Sequence, residues 1–197
     1  MLWRVLITGP EDTPYSCGCF IFDIYFPSTY PQIAPKVNLQ TTGRKSVRFN
    51  PNLYKDGKVC LSLLGTWDGH KSETWDSQVS TINQVLVSIQ SLIFVPEPFF
   101  NEPGYERGMG KAESQKMSKA YNRTIREATL EYAVLAQLKR PYKEFAEAIQ
   151  KHMKLRKEHL QQQMQGWVEE AEADEVRDHA RRLEQLQRQI LAILANL

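Results

Sequence analysis

"GCFIFDIYFPSTYPQIAPKVNLQ", residues 18 to 40, sets a strand, a proline-rich turn and a second strand in a row. Gly18 to Phe26 is β-prone and mostly apolar, the pattern of a strand covered on both faces. "PSTYPQIAP" follows with three prolines. Each lacks a backbone donor and restricts the residue before it, so this segment reads as an extended surface connection. In "KVNLQ" polarity alternates, which places Val37 and Leu39 on one face of another strand. Upstream, Leu2 to Ile7 is a short apolar run ended by "TGPEDTPY", a turn dense in Gly, Pro and Asp. Three strands joined by turns predict an antiparallel meander.

Further along, the composition changes. Residues 1 to 110 hold all but one of the ten prolines and all but one of the ten glycines, whereas residues 111 to 197 are rich in Ala, Glu, Gln, Lys, Leu and Arg. Sheet and turns first, helices afterwards, predict an α+β fold with a helical tail. In Val79 to Val95, Ile82, Val85, Leu86, Ile89, Leu92 and Ile93 recur at helical spacing. Ser80 or Thr81 is the candidate cap of that helix, and Pro96 its stop. A second helix is expected from Ser114 to Leu138. Pro141 suits the first position of a third, long and charged, with Gly166 as its candidate kink or end. Leu183, Leu186, Ile190, Ile193 and Leu197 then follow a three-four rhythm. A terminal helix folded back on its predecessor is the favoured reading, and a self-association seam the other. The division read from these signals is 1–140 for the mixed domain and 141–197 for the helical extension.

The chain is long enough, at 197 residues, to bury a core. Its net charge of +2 carries no field that would suit a nucleic acid or a membrane surface. No apolar run reaches a membrane span. Three cysteines without framework spacing fit a reducing compartment, so a cytoplasmic or nuclear protein is expected. The four histidines are scattered and Cys17-Gly18-Cys19 is not a paired C-x-x-C, so no metal site is expected.

Within "NPNLYKDGKVCLSLLGTW", residues 50 to 67, Cys60 follows two turns and begins an apolar run. A cysteine in an apolar strand is most often a small core residue. Here Asn50, Pro51, Asn52, Asp56 and Gly57 place it just past loops, and the amide of Asn52 is a candidate donor to an oxyanion. No histidine lies within this stretch to take the thiol proton, which argues against a Cys-His pair. Thioester carriage is a chemistry that works without one. It needs an exchangeable acyl group, an oxyanion donor and surroundings that orient an incoming amine.

The ordered segments "ITGPEDTPY", "GCFIFDIYFPSTYPQIAPKV", "FNPNLYKDGKVCLSLL", a tryptophan and "STINQVLVSIQSLI" resemble the ubiquitin-conjugating enzyme domain over about residues 3 to 105. More narrowly, "VRFNPNLYKDGKVCLSLLGTW" and "EPFFNEPGYER" are similar to the large hybrid conjugating enzyme/ligase of the BRUCE (Apollon) type. The resemblance implies the conjugating fold and ubiquitin carried as a thioester on Cys60 before passage to a substrate lysine. It further implies partnership with ubiquitin and a ubiquitin-activating enzyme, no cofactor, and, for the hybrid type, substrates among regulators of cell death. By the same resemblance Asn52 is the oxyanion or loop-bracing asparagine. Glu102 is the acidic gate beside the groove, with Glu97 the poorer choice. Asn50 replaces the family's histidine, and Ser62 stands where the family often has Asp. Tyr54 and Trp67 are candidates to line the approach to the thiol. The inserted "GTWDGHKSET", with His70, is a candidate contact for acceptor or ubiquitin. Family members usually open on a helix, which fits this chain being a piece of a longer protein. The competing reading is a non-catalytic ubiquitin- or partner-binding module on the same fold.

Overall fold

The computed structural model describes residues 1–67 and 70–197. Its sheet is the expected meander, β1 (Leu2–Thr8), β2 (Cys19–Tyr25) and β3 (Lys36–Leu39), in that order and antiparallel throughout. Register pairs Leu6 with Ile21 and Ile24 with Val37. Side chains alternate across a strand, so the two faces of this sheet serve different purposes. Val5, Ile7, Phe20 and Phe22 enter one apolar core, joined by Leu53, Val59, Val85, Ile89 and Ile125. Leu6 and Cys19 enter a second, with Cys17, Leu130, Val134, Met153, Met164, Leu183 and Ile190. The expectation that Gly18–Phe26 is covered on both faces is met as far as Phe22, and this is its cause; further along, Asp23 is half-buried and Tyr25 exposed.

Helix α1 (Ile82–Ser88) starts where Thr81 caps it. Thr81 Oγ1 accepts from Gln84 N at 3.3 Å, and Gln84 Oε1 accepts from Thr81 N at 2.7 Å. This is a capping box, which satisfies two terminal donors at once. The first three residues of the predicted span, Val79 to Thr81, lie before the helix. A wider π turn, Ile89–Ile93, continues α1 and ends before Pro96. Helix α2 (Ala112–Ala128) runs through another π turn, Thr129–Leu135, into α3 (Ala136–Lys139), close to the predicted 114–138.

Two expectations for the tail are corrected. Pro141 is not the first helical residue, because a tight turn at Lys143–Phe145 precedes α4 (Ala146–Leu155). Nor does the long helix kink or end at Gly166. The break comes at Arg156, and Gly166 sits inside α5 (Lys157–Ala173). A Cβ on Gly166 would meet nothing within 4 Å, so no close approach demands a glycine there.

The last helix, α6 (Arg177–Leu194), folds back on α5, as favoured. Leu183, Leu186 and Ile190 are buried in the second core, and Leu194 is buried where the rhythm gave Ile193, which is half-buried; Leu197 lies beyond the helix and is exposed. The straight 3.6-residue helix drifts off a strict heptad, which moves the seam by one position at its end. Residues beyond 140 therefore share one core with β1, β2 and the 129–139 helix. Among the described residues, no helix is long and apolar enough to cross a membrane.

Candidate functional site

The segment from Arg48 to Thr66 is anchored by Phe49, Leu53 and Val59 in the first core and by hydrogen bonds within itself and to distant segments. Asn50 is fully buried and uses both ends of its amide. Its Nδ2 donates to the Ile93 carbonyl at 2.7 Å and to the Tyr15 hydroxyl at 3.1 Å. Its Oδ1 accepts from Asn52 N at 2.8 Å and from Asn101 Nδ2 at 3.3 Å. The Tyr15 hydroxyl donates onward to the Phe49 carbonyl at 2.7 Å. A buried polar group is costly unless paired, and here the pairing ties the first turn, the end of the 82–93 helix and the 96–102 loop to one point.

Asn52 and Cys60, eight residues apart, are brought side by side. Cys60 N donates to the Asn52 carbonyl at 2.8 Å, and Asn52 Nδ2 donates to the Cys60 carbonyl at 2.9 Å. In this arrangement the Asn52 amide braces the loop and faces the Cys60 backbone. Thr66 completes the frame from the other side. Its hydroxyl donates to the Val59 carbonyl at 2.7 Å and accepts from Leu61 N at 3.0 Å, so both neighbours of Cys60 are fixed. Cys60 is 2 % exposed, yet it joins neither apolar cluster. Burial pushes its thiol above the ordinary 9.0, Lys58 and Arg48 pull it back down, and Asp56 adds to the rise. The thiol is therefore protonated at rest near neutral pH.

A groove of about 830 Å³ starts at Leu61 and Ser62, immediately after Cys60. It passes Trp75 and runs along Gln84, Ser88 and Leu92 of the 82–93 helix. Cys60 itself is not in its lining; the groove meets the thiol loop at the two residues that follow the cysteine.

The remaining predicted residues fall on both sides of this line. Glu102 comes to the site through Arg48, whose Nη2 donates to Glu102 Oε2 at 3.3 Å and to the Pro51 carbonyl at 2.7 Å. Glu97 turns away and accepts from Ser118 Oγ at 3.1 Å, on helix α2. Tyr54 lies under the Arg48 guanidinium, 4.5 Å from its ring centre, with the Lys58 ammonium at 5.6 Å. Trp67 is half-buried. His70 is exposed and spent locally, its Nδ1 2.8 Å from Ser72 Oγ and its backbone N donating to Glu73 Oε2 at 3.2 Å. Asp68 and Gly69 of the inserted segment lie outside the described residues. Among the described residues, no group of three or more His, Cys, Asp or Glu comes together as a metal site would need.

Arg48, Thr66 and Asn101 were not singled out by the sequence reading. Thr66 carried no signal beyond its closeness to Cys60. Asn101 sits beside Glu102, and Arg48 precedes the "NPN" turn by two residues, which were the only hints.

Comparison with known proteins agrees with this geometry. The ubiquitin-conjugating enzyme family matches residues 1–129. The dual E2 ubiquitin-conjugating enzyme/E3 ubiquitin-protein ligase BIRC6 of Mus musculus is 54 % identical over 167 residues, which is 85 % of this chain and 3 % of that protein. The Homo sapiens counterpart has the same identity and coverage. The probable ubiquitin-conjugating enzyme protein 17 of Caenorhabditis elegans is 52 % identical over 171 residues, 87 % of this chain and 23 % of that protein. The chain thus spans only a small part of these relatives.

Proposed function

Since the chain belongs to the ubiquitin-conjugating enzyme family, we propose that Cys60 carries ubiquitin as a thioester and passes it to lysine. In the loading step the Cys60 thiolate attacks the acyl carbon of a ubiquitin held on the activating enzyme. The bond to that enzyme's sulfur breaks, and its thiolate leaves. In the transfer step a lysine nitrogen attacks the same acyl carbon and gives up a proton. The bond to Cys60 breaks and the electron pair returns to sulfur, leaving an isopeptide bond. Asn52 Nδ2, released from the Cys60 carbonyl, is the donor to the oxyanion formed in between. Glu102 meets the incoming ammonium. No cofactor is required.

The observation that carries this reading is the reciprocal pair between Asn52 and Cys60, which sets an amide donor and a thiol in one frame, with the next residues, Leu61 and Ser62, lining a groove. The hybrid relatives suggest that the domain works inside a larger conjugating enzyme/ligase; regulators of cell death as substrates rest on the resemblance to the BRUCE type alone. Self-association through α6 would need a surface other than the buried Leu183, Leu186 and Ile190.

The test is to incubate the chain with activating enzyme, ATP and ubiquitin and resolve the products without reductant. A thiol-sensitive adduct absent from Cys60→Ala supports the reading. A second reading, a binding module without transfer, is favoured by the 2 % exposure of Cys60. It predicts a folded domain that binds ubiquitin and forms no adduct.

A further inference from the structure

The 96–102 loop is clasped to the thiol loop at two adjacent points. Asn101 Nδ2 donates to Asn50 Oδ1 at 3.3 Å and to the Leu92 carbonyl at 3.0 Å. One residue on, Glu102 Oε2 accepts from Arg48 Nη2 at 3.3 Å. The same Nη2 donates to the Pro51 carbonyl at 2.7 Å, and the guanidinium carbon lies over the Tyr54 ring, 4.5 Å from its centre. Arg48 is therefore held on three sides, and two of its contacts, Pro51 and Tyr54, flank Asn52 in the chain. Glu102 reaches this loop through Arg48 alone among the described residues, and no other side chain fixes its carboxylate. A planar guanidinium offers several donors in fixed directions, so one group can serve a carbonyl, a carboxylate and a ring at once. A lysine at this position would hold only part of the set.

We propose that Arg48 is a positioning residue for amine transfer: it holds the Glu102 carboxylate beside the Asn52–Cys60 loop, where the acceptor lysine arrives. This rests on the reading of Cys60 as the thioester carrier. One carboxylate oxygen is engaged by Arg48, and the other, Oε1, remains for the substrate ammonium. The lysine ammonium gives one proton to that carboxylate or its adjoining water to become the attacking amine, and as the nitrogen bonds to the acyl carbon it loses a second proton to solvent. The carbon–sulfur bond then breaks and Cys60 leaves as a thiolate. A nucleophile already neutral at working pH has no ammonium for the carboxylate to receive, so its attack does not depend on Glu102. This difference separates positioning from a general effect on the loop.

The experiment starts from the full chain already charged with ubiquitin and measures loss of the thioester to excess free lysine and, separately, to hydroxylamine. For Arg48→Gln the ratio of lysine to hydroxylamine discharge is expected to fall about fivefold near neutral pH, the size of one exposed ion pair. The deficit should shrink as pH rises toward the lysine's own pKa. Glu102→Gln should give the same deficit, the double variant should be no worse than Glu102→Gln, and Arg48→Lys should recover only part. Thermal melting of each variant, unchanged from the parent, excludes misfolding, as the 41 % exposure of the Arg48 side chain leads one to expect. Equal slowing toward both nucleophiles, no slowing, or a double variant that multiplies the two losses overturns the proposal. A parent chain that never charges on Cys60 removes the premise, and the proposal falls with it.

Discussion

Cys60 and Cys19 are both buried thiols, and their surroundings differ in kind. Cys19 is fully buried in the middle strand and packs in the second apolar core among leucines, methionines and Cys17. Burial pushes its thiol up to about 12, with Cys17 adding to the rise. Cys60 is covered instead by loops whose backbone bonds run to Asn52 and Thr66, with Lys58, Arg48 and Asp56 close enough to act on the sulfur. Cover made of apolar packing opens only when the core does. Cover made of a few loop hydrogen bonds opens locally and at a lower free energy. Near-equal exposure therefore conceals two kinds of cover, apolar packing in one place and a hydrogen-bonded loop in the other.

The most drastic way to break this comparison is to remove the sulfurs one at a time. Cys60→Ala should abolish the thiol-sensitive ubiquitin adduct on a non-reducing gel, while Cys17→Ala and Cys19→Ala should retain it. Loosening one kind of cover should not loosen the other. Leu183→Ala, in the second core, should destabilise the fold by about 2–5 kcal/mol in denaturant unfolding. It should also speed alkylation of Cys19 far more than that of Cys60. Asn52→Ala should slow discharge of the thioester to lysine by ~2–4 kcal/mol of activation free energy, the worth of one oxyanion donor. Loss of the same size in charging would mean that the amide does nothing beyond the bracing bond to the Cys60 carbonyl. The smallest effect concerns pH. With the Cys60 thiol raised above 9.0, its alkylation rate should climb about tenfold per pH unit through pH 9, as the thiolate fraction does. A plateau near neutral pH would show a thiol activated in a way this site does not provide.

Much of the fold was legible because local chemistry and long-range packing agree in it. Residues 19–25 carry apolar side chains to both faces, and the sheet has a core on each. For the start of α1 the sequence offered Ser80 or Thr81, and the Thr81–Gln84 capping box decides for Thr81. Where the reading missed, the deciding partner was far away in the chain. Gly166 marked a break by propensity alone, but packing against α6 keeps α5 helical, and the chain turns instead at Arg156, which has no such signature. At the site, the spacing of Asn52 and Cys60 was readable because both lie in one turn-rich stretch. Arg48 was not, because its partner Glu102 is 54 residues on. Asn50 was read as a turn former and as a replacement, while its four bonds join segments contributed by Tyr15, Asn52, Ile93 and Asn101.

The central strand has a thermodynamic corollary. Because Phe20 and Phe22 look one way and Cys19 the other, and because the 112–139 helix likewise sends Ile125 to one interior and Leu130 to the other, neither interior can melt while its neighbour stays dry. Calorimetry on the whole chain should record a single endotherm, and trimming the chain at residue 140 should leave the underside of the sheet wetted and prone to clump.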